Sequence, residues 1–232
     1  FKLNNYKNFY ESYICFKNRN IPMIDAKLAI SKDYFTINKK NKWITNSNSR
    51  RRVHLIRSQY DCIISTSRSI NLDNSLLNCR IENFNVNKPD LVIVDLDLKI
   101  KNNLNLFKNK KRRIIIITSN LKNKKINLLK KKGIKFIYIK SLKDTKDLEY
   151  MFSILKNLNY QRVLVESGLK FLNFLLLKRF IFNLFIFKSG KKIGVNGYNN
   201  SYLSLIRKIK LKHRVKVNLS GDSLYKIKLN HV

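Results

Sequence analysis

Glycine, proline, cysteine, histidine and acidic side chains are all scarce in this chain, and each shortage closes off a class of explanation. Six glycines and two prolines in 232 residues provide no Gly/Pro-rich linker, so the length fits one α/β domain. The three cysteines, Cys15, Cys62 and Cys79, are widely spaced with no Cys-x-x-Cys pair. That argues against a zinc site or a disulfide framework and suits a reducing, cytoplasmic setting. Cys62 lies in an apolar run with Ile63 and Ile64 and reads as a small buried hydrophobe. His54, His213 and His231 are too dispersed for a metal cluster, so no metal is expected. Neither a Ser/His/Asp set nor a pair of catalytic carboxylates stands out. Residues 171–187 are apolar but are interrupted by Asn173, Lys178, Arg179 and Asn183. They fall short of the about 18 uncharged residues of a membrane span, and a buried helix followed by a buried strand is expected. No signal peptide is visible. The chain opens on Phe1, and the expectation is a piece of a longer protein or one lacking its first residues.

Positive charge is abundant: 49 basic against 14 acidic residues give a formal +35. Such a balance raises nucleic-acid binding. The basic residues are spread from Lys2 to Lys228 rather than gathered in one stripe, and runs such as 130–132 flank apolar segments. That is how solvated ends of strands and helices look, and the lysine- and asparagine-rich composition matches an A/T-rich coding sequence. Nucleic acid is therefore not the expected partner. A diffuse positive field would still draw anionic ligands.

Short Ile- and Val-rich runs alternate with helical patterns, which predicts a largely parallel sheet flanked by helices. The expected strands are 23–30, 61–65, 91–94, 113–118, 134–139, 162–165 and 181–187. A closing antiparallel hairpin of 215–218 and 224–229 turns at Ser220-Gly221-Asp222. Helices are expected over 47–60, capped by a Thr/Asn/Ser cluster, 122–132, ending at Gly133, 144–158 and 168–179. The third of these carries Leu148, Met151, Phe152, Leu155 and Leu158 on one face.

Several features in a fixed order carry chemistry. They are Lys27-Leu28-Ala29-Ile30-Ser31-Lys32-Asp33 at a strand end, Trp43-Ile44-Thr45, Arg57 on a helix, Asp73 with Leu77 and Arg80, and Val165-Glu166-Ser167-Gly168 between a strand and a helix. A glycine opening a helix lets a pyrophosphate approach the backbone at the positive helix end. Fixed guanidinium groups suit a sugar phosphate through paired hydrogen bonds. Taken singly, each has a plainer explanation. A lone Trp packs on a sheet, an arginine among 49 basic residues is solvated surface, Asp73 caps a loop, and Glu166 complements a helix start.

Together these residues resemble the reductase domain of the bifunctional riboflavin-biosynthesis deaminase/reductase, a domain of dihydrofolate-reductase-like fold. The resemblance is specific over 26–80 and looser to the C-terminus. It implies an NADPH-dependent reductase that converts the ribosyl group of 5-amino-6-(5-phosphoribosylamino)uracil to ribityl. It implies Lys27 and Glu166 at the reacting centre, and Ala29, Ser31, Trp43, Thr45, Ser69, Asp73 and Gly168 at the dinucleotide. Asn41, Arg57, Leu77, Arg80 and Glu166 are implied at the substrate. It also implies a homodimer and a zinc deaminase domain that lies upstream or was lost, residues 1–21 being the connecting segment and 22–232 the reductase domain. The deaminase signature itself does not occur here. Three positions depart from the family. Tyr34 replaces a glycine, so the turn there is expected to differ, since a side chain resists φ > 0. Asn74 replaces an aspartate and Leu169 a proline. A degenerate domain kept as a dimerisation scaffold is the alternative these losses raise.

Overall fold

The computed structural model describes residues 10–81, 89–108, 112–122, 124–202, 204–212 and 214–229. The expectations concerning His213, His231 and residues 1–9 lie outside them. The strands are β1 (Met23–Ile30), β2 (Ile37–Asn38), β3 (Cys62–Thr66), β4 (Asp90–Val94), β5 (Ile114–Thr118), β6 (Lys135–Tyr138), β7 (Arg162–Val165), β8 (Asn183–Lys188), β9 (Gly197–Tyr198) and β10 (Ser223–Lys228). Eight of them form one sheet in the order β10-β8-β1-β7-β3-β4-β5-β6. All neighbours are parallel except β10, which runs antiparallel on β8. β2 and β9 form a small antiparallel pair.

Runs such as Ile114–Thr118, which is buried at all five positions, are β-branched and apolar on both faces, as central parallel strands require. Helices cover both faces. α1 (Glu11–Asn18), α2 (Ser47–Arg57), α3 (Ser67–Asp73), α4 (Lys125–Lys131), α5 (Thr145–Asn157) and α6 (Leu169–Leu177) follow in chain order. Two core layers result. Val53 and Ile56 of α2, Ile70 of α3 and Ile126 of α4 pack with Ile63, Leu164 and Phe187 on one face. Met151 and Phe152 of α5 and Leu172 of α6 pack with Ile24, Ala26 and Leu28 on the other. Right-handed crossovers dictate this division. The chain moves one way across the sheet from β3 to β6 and back again through β7 and β8.

Three helices stop with the same device. Gly133 after α4, Asn159 after α5 and Arg179 after α6 have φ of 81°, 64° and 59°. Each donates its N–H to a carbonyl three residues back, and the next residue donates five back: Gly133 to Lys130 and Ile134 to Leu129, Asn159 to Lys156 and Tyr160 to Leu155, Arg179 to Leu176 and Phe180 to Leu175. This is the Schellman arrangement with its apolar contact, and only one of the three uses glycine.

The expected elements are present with ends shifted by up to three residues. The C-terminal hairpin forms around Ser220 and Gly221, both at positive φ, with the Asp222 N–H donating to Leu219 O at 3.2 Å. Only its second arm is a full strand. The first meets it through the bridge Arg214 to Tyr225. Helices α1 and α3 were not legible in the sequence. α3 is seven residues long, too short to show an apolar period.

Candidate active site

β3 and β7 lie side by side, yet the chain leaves them in opposite directions across the sheet. The crevice beyond their C-terminal ends is therefore a topological switch point, where open α/β sheets bind ligands. Thr66 caps α3 from the β3 side, accepting from the Ser69 N–H at 3.4 Å, and its hydroxyl lies 3.1 Å from Ser69 Oγ. From the β7 side the Gly168 N–H donates to Ser69 Oγ at 2.9 Å. A Cβ at Gly168 would stand 3.3 Å from that oxygen, a tight contact that the glycine avoids. α6 begins at Leu169 with no side-chain cap, leaving its first amides free to face an anion. The hydroxyl of Ser67 is turned inward, donating to Asp95 at 2.6 Å. Ser65 Oγ is buried with no partner.

Strand β1 brings in the lysine. Its residues alternate, so Asp25, Lys27 and Ala29 point to the face covered by α2, while Ile24, Ala26 and Leu28 enter the other core layer. On the same face lies Glu166, one residue beyond β7, its own N–H bonded to Ile64 O. Arg57, the last residue of α2, grips Glu166 with both ends of its guanidinium: Nε to Oε1 at 2.6 Å and Nη2 to Oε2 at 3.0 Å. Lys27 Nζ stands 3.9 Å from Glu166 Oε2 and 5.9 Å from the Phe187 ring. Burial pushes the Glu166 carboxyl up, but Arg57, through its charge and hydrogen bonds, and then Lys27 hold it below the ordinary 4.5. For Lys27 the balance is reversed. Burial pulls its ammonium below the ordinary 10.5, Glu166 opposes this and Arg57 adds to it. The result is an anion fixed by one cation and attended at longer range by a second whose charge burial disfavours.

A strap of chain, residues 76–80, closes this side. Leu77 has φ 48° and Asn74 φ 45°, a conformation Leu adopts only when surroundings hold it. Arg112 holds it, donating Nη1 to Leu77 O at 2.8 Å and to Pro89 O at 3.3 Å, and Nη2 to Leu76 O. Asn78 O accepts from Arg57 Nη1 at 3.0 Å, while Asn78 Oδ1 is buried without a partner. Arg80 is exposed.

The remaining expected residues form a rim. Ser31 is buried and committed to its own turn, donating to Asp33 at 2.5 Å and accepting from the Phe35 N–H at 2.8 Å. Asp33 also accepts from the Ile193 and Gly194 amides at 3.1 and 2.8 Å. Although desolvation opposes it, these bonds hold its carboxyl down at about 2. Contrary to the expectation for Tyr34, the turn keeps the glycine-like conformation, with Tyr34 at φ 67°. Its ring lies under Lys188 Nζ at 4.4 Å, and Asn199 Nδ2 donates to its carbonyl at 3.2 Å. Asn41 is exposed, bonded through its N–H to Asn38 Oδ1 at 3.3 Å. Trp43 is 56% exposed, not packed on the sheet, and stacks on the Arg50 guanidinium at 4.7 Å. Thr45 is buried, its carbonyl accepting from Arg50 Nη1 at 2.7 Å. Lys42, which lies over Trp43 at 5.3 Å, reaches Asp73 O at 2.8 Å. Burial raises the Asp73 carboxyl while Lys42 and Lys27 lower it, which sets Asp73 within the field of the same lysine.

Residues that sequence reasoning missed are His54, Asn78 and Arg112, all of which work on the strap. A lone His and a lone Asn carry no spacing signal. Among the described residues no group of His, Cys, Asp and Glu could hold a metal, and no helix is long and apolar enough to cross a membrane.

A mostly parallel sheet with a glycine-to-serine contact at its switch point and an ionic lysine–glutamate–arginine cluster beside it defines an α/β protein that gathers polar and charged side chains at that switch point. The RibD C-terminal domain family model matches residues 22–197, and the chain belongs to that family. Riboflavin biosynthesis protein RibD of Aquifex aeolicus is 25% identical over 171 residues, 74% of this chain and 45% of that protein. The solved Thermotoga maritima diaminohydroxyphosphoribosylaminopyrimidine deaminase/5-amino-6-(5-phosphoribosylamino)uracil reductase superposes with a TM-score of 0.77 at 23% identity, over 97% of this chain and 61% of that one. The Saccharomyces riboflavin biosynthesis reductase Rib7 does so at 0.70 and 20% identity, over 97% and 99%. The chain thus spans about half the length of the RibD protein it matches.

Proposed function

We propose that the chain is the reductase of riboflavin biosynthesis, transferring a hydride from NADPH to the ribosyl carbon of 5-amino-6-(5-phosphoribosylamino)uracil and giving the ribityl product. The observation that carries this reading is the placement of Lys27, Glu166 and Arg57 beside the Ser69–Gly168 contact at the switch point. The dinucleotide fits these residues. The Gly168 cradle and the uncapped α6 amides suit its pyrophosphate, and exposed Trp43 offers a flat face at the rim. Bound NADPH would supply the hydride, which is the difficult chemistry. The chain's own task is alignment and exclusion of water. Lys27 presents its ammonium on the inner face of the crevice, where it can hydrogen-bond a substrate heteroatom. Glu166 keeps that ammonium in place, and Arg57 keeps Glu166 ionised. Arg80, exposed at the end of the strap, is free to meet a phosphate.

The preference for NADPH over NADH, a homodimer, a cytoplasmic setting, a deaminase domain preceding residues 1–21 and a reductase domain over 22–232 belong to the same proposal. The test is loss of NADPH absorbance with substrate made fresh by a separate deaminase. Oxidation in proportion to substrate added, faster than with NADH, is expected. Folded protein that binds NADPH yet oxidises none with substrate present overturns the reading.

A further inference from the structure

His54 lies one helical turn before Arg57 on α2, and none of the roles above uses it. It is half-buried against the strap, and its Nδ1 meets two backbone groups there: Asn78 O at 2.9 Å and the Arg80 N–H at 3.2 Å. The turn of helix carrying it is tied to the same segment a third time, since Cys79 Sγ donates to His54 O at 3.3 Å. One nitrogen cannot serve both backbone groups at once. With a proton on Nδ1 it donates to Asn78 O; with a lone pair there it accepts from the Arg80 N–H. Asn78 O already has a donor in Arg57 Nη1, whereas among the described residues His54 Nδ1 is the acceptor of the Arg80 amide. Pairing the Arg80 amide therefore places the proton on Nε2 and gives the Nδ1 lone pair to Arg80, leaving Asn78 O to its Arg57 donor.

We propose that His54 is a positioning residue for Arg80: its unprotonated Nδ1 anchors the Arg80 backbone, fixing where that guanidinium presents itself to the substrate phosphate. This rests on the reductase reading and deepens it. The charged groups facing the imidazole are Arg57 on its own helix, Arg80 on the strap and Glu166 after β7. Burial first, then the two arginines, hold His54 below the ordinary 6.5, with Asn78 O and Glu166 opposing. The neutral ring is thus the resting form at neutral pH, and acid converts Nδ1 into a donor that must leave Arg80 for Asn78.

The test has an arm that needs no turnover. In wild-type protein the Arg80 amide resonance follows the titration of the His54 ring, whose Nδ1 nitrogen shift reports a lone pair at neutral pH. In His54→Asn, whose side-chain oxygen accepts without titrating, the Arg80 amide shift is flat with pH. An Arg80 amide indifferent to His54 protonation overturns the proposal, whatever the activity. The second arm is kinetic. His54→Leu raises KM for the phosphorylated substrate about tenfold, the scale of one lost hydrogen bond. kcat and NADPH affinity are held, and His54→Asn restores KM. In an Arg80→Ala background His54→Leu adds nothing further. An additive effect in that background, or a matching loss of kcat and NADPH binding, overturns it as mere structural damage. Absence of turnover in the wild type would count against the reductase reading alone and leave the first arm to decide.

Discussion

Asp25, within β1, and Glu166, one residue past the neighbouring parallel strand β7, are both buried carboxylates on the same face of the sheet. Asp25 pairs in register with Leu164, two residues before Glu166. Their surroundings make them opposites. Asp25 is hydrogen-bonded by neutral donors, the Tyr60 hydroxyl at 2.5 Å and the backbone and side-chain N–H groups of Asn183, both at 2.9 Å, with the cation Arg162 also acting on it. Burial raises its carboxyl above the ordinary 3.8 despite those bonds. Glu166 faces two cations and is held below its ordinary value. A chain needing only to satisfy a buried acid could have used the Asp25 solution twice. Keeping Glu166 ionised, at the expense of burying Arg57 and desolvating Lys27, makes sense where charge is to be used.

The largest expected effect is that of Glu166→Ala. It leaves the Arg57 guanidinium buried without its anion, which costs about 3–5 kcal/mol and removes reductase activity. Denaturant titration and NADPH oxidation check the two parts. The pH dependence distinguishes the two acids. Because the folded carboxyl of Glu166 lies below its unfolded value, its contribution is present above pH 4.5 and is lost as pH falls through the folded value. Glu166→Gln should flatten that acid limb. Asp25 works the other way. Its raised carboxyl favours the fold most at low pH, and that share is lost as pH rises through its folded value, a loss Asp25→Asn should remove.

Next is Lys27→Met. A desolvated ammonium 3.9 Å from its anion adds little to stability, so the thermal midpoint should hold or rise. kcat should fall by about 10²–10⁴, the range for losing a positioned proton donor. A fall in the midpoint as large as that of Glu166→Ala would show Lys27 to be structural and erase the contrast. Asp25→Ala is expected to do the reverse: about 1–3 kcal/mol of stability lost through unpaired donors, with kcat/KM of the surviving folded protein close to wild type.

How much of this was legible follows the same division. The strands and the α/β class were readable because Ile and Val runs buried on both faces announce themselves. Lys27, Arg57 and Glu166 were readable as members of a set, and the structure brings them together. Their pairing was not: Arg57 looked like a free substrate ligand, yet two of its nitrogens are occupied by Glu166. Sequence order cannot show that the end of α2 and the end of β7, more than a hundred residues apart, meet across one face. His54 and Arg112 stayed hidden because they act on backbone atoms, which have no letter in a sequence.

Glycine scarcity hid another part, and the smallest prediction turns on it. Gly133 announced the end of its helix, whereas Arg179 and Tyr34 adopt φ of 59° and 67° with no glycine to mark them. The left-handed conformation is worth about 1–2 kcal/mol to relieve in an L-residue, and glycine gives back about 0.5–1 kcal/mol through unfolded-chain entropy. Arg179 is an exposed helix stop away from the crevice, so Arg179→Gly should stabilise by about 0.5–1 kcal/mol with kinetics unchanged. Tyr34→Gly relieves the same strain but also loses the Lys188 contact, worth about 0.5–1 kcal/mol, and the packing of its ring against the core. Its stability should therefore stay level or fall, and KM for NADPH should rise as the 31–36 turn at the crevice rim loosens. If the two glycine variants behaved alike in both stability and KM, the strain at Tyr34 would be no more than a helix-stop strain in another place. A split between them would show that the rim side chain, and not the backbone angle alone, is what this turn retains.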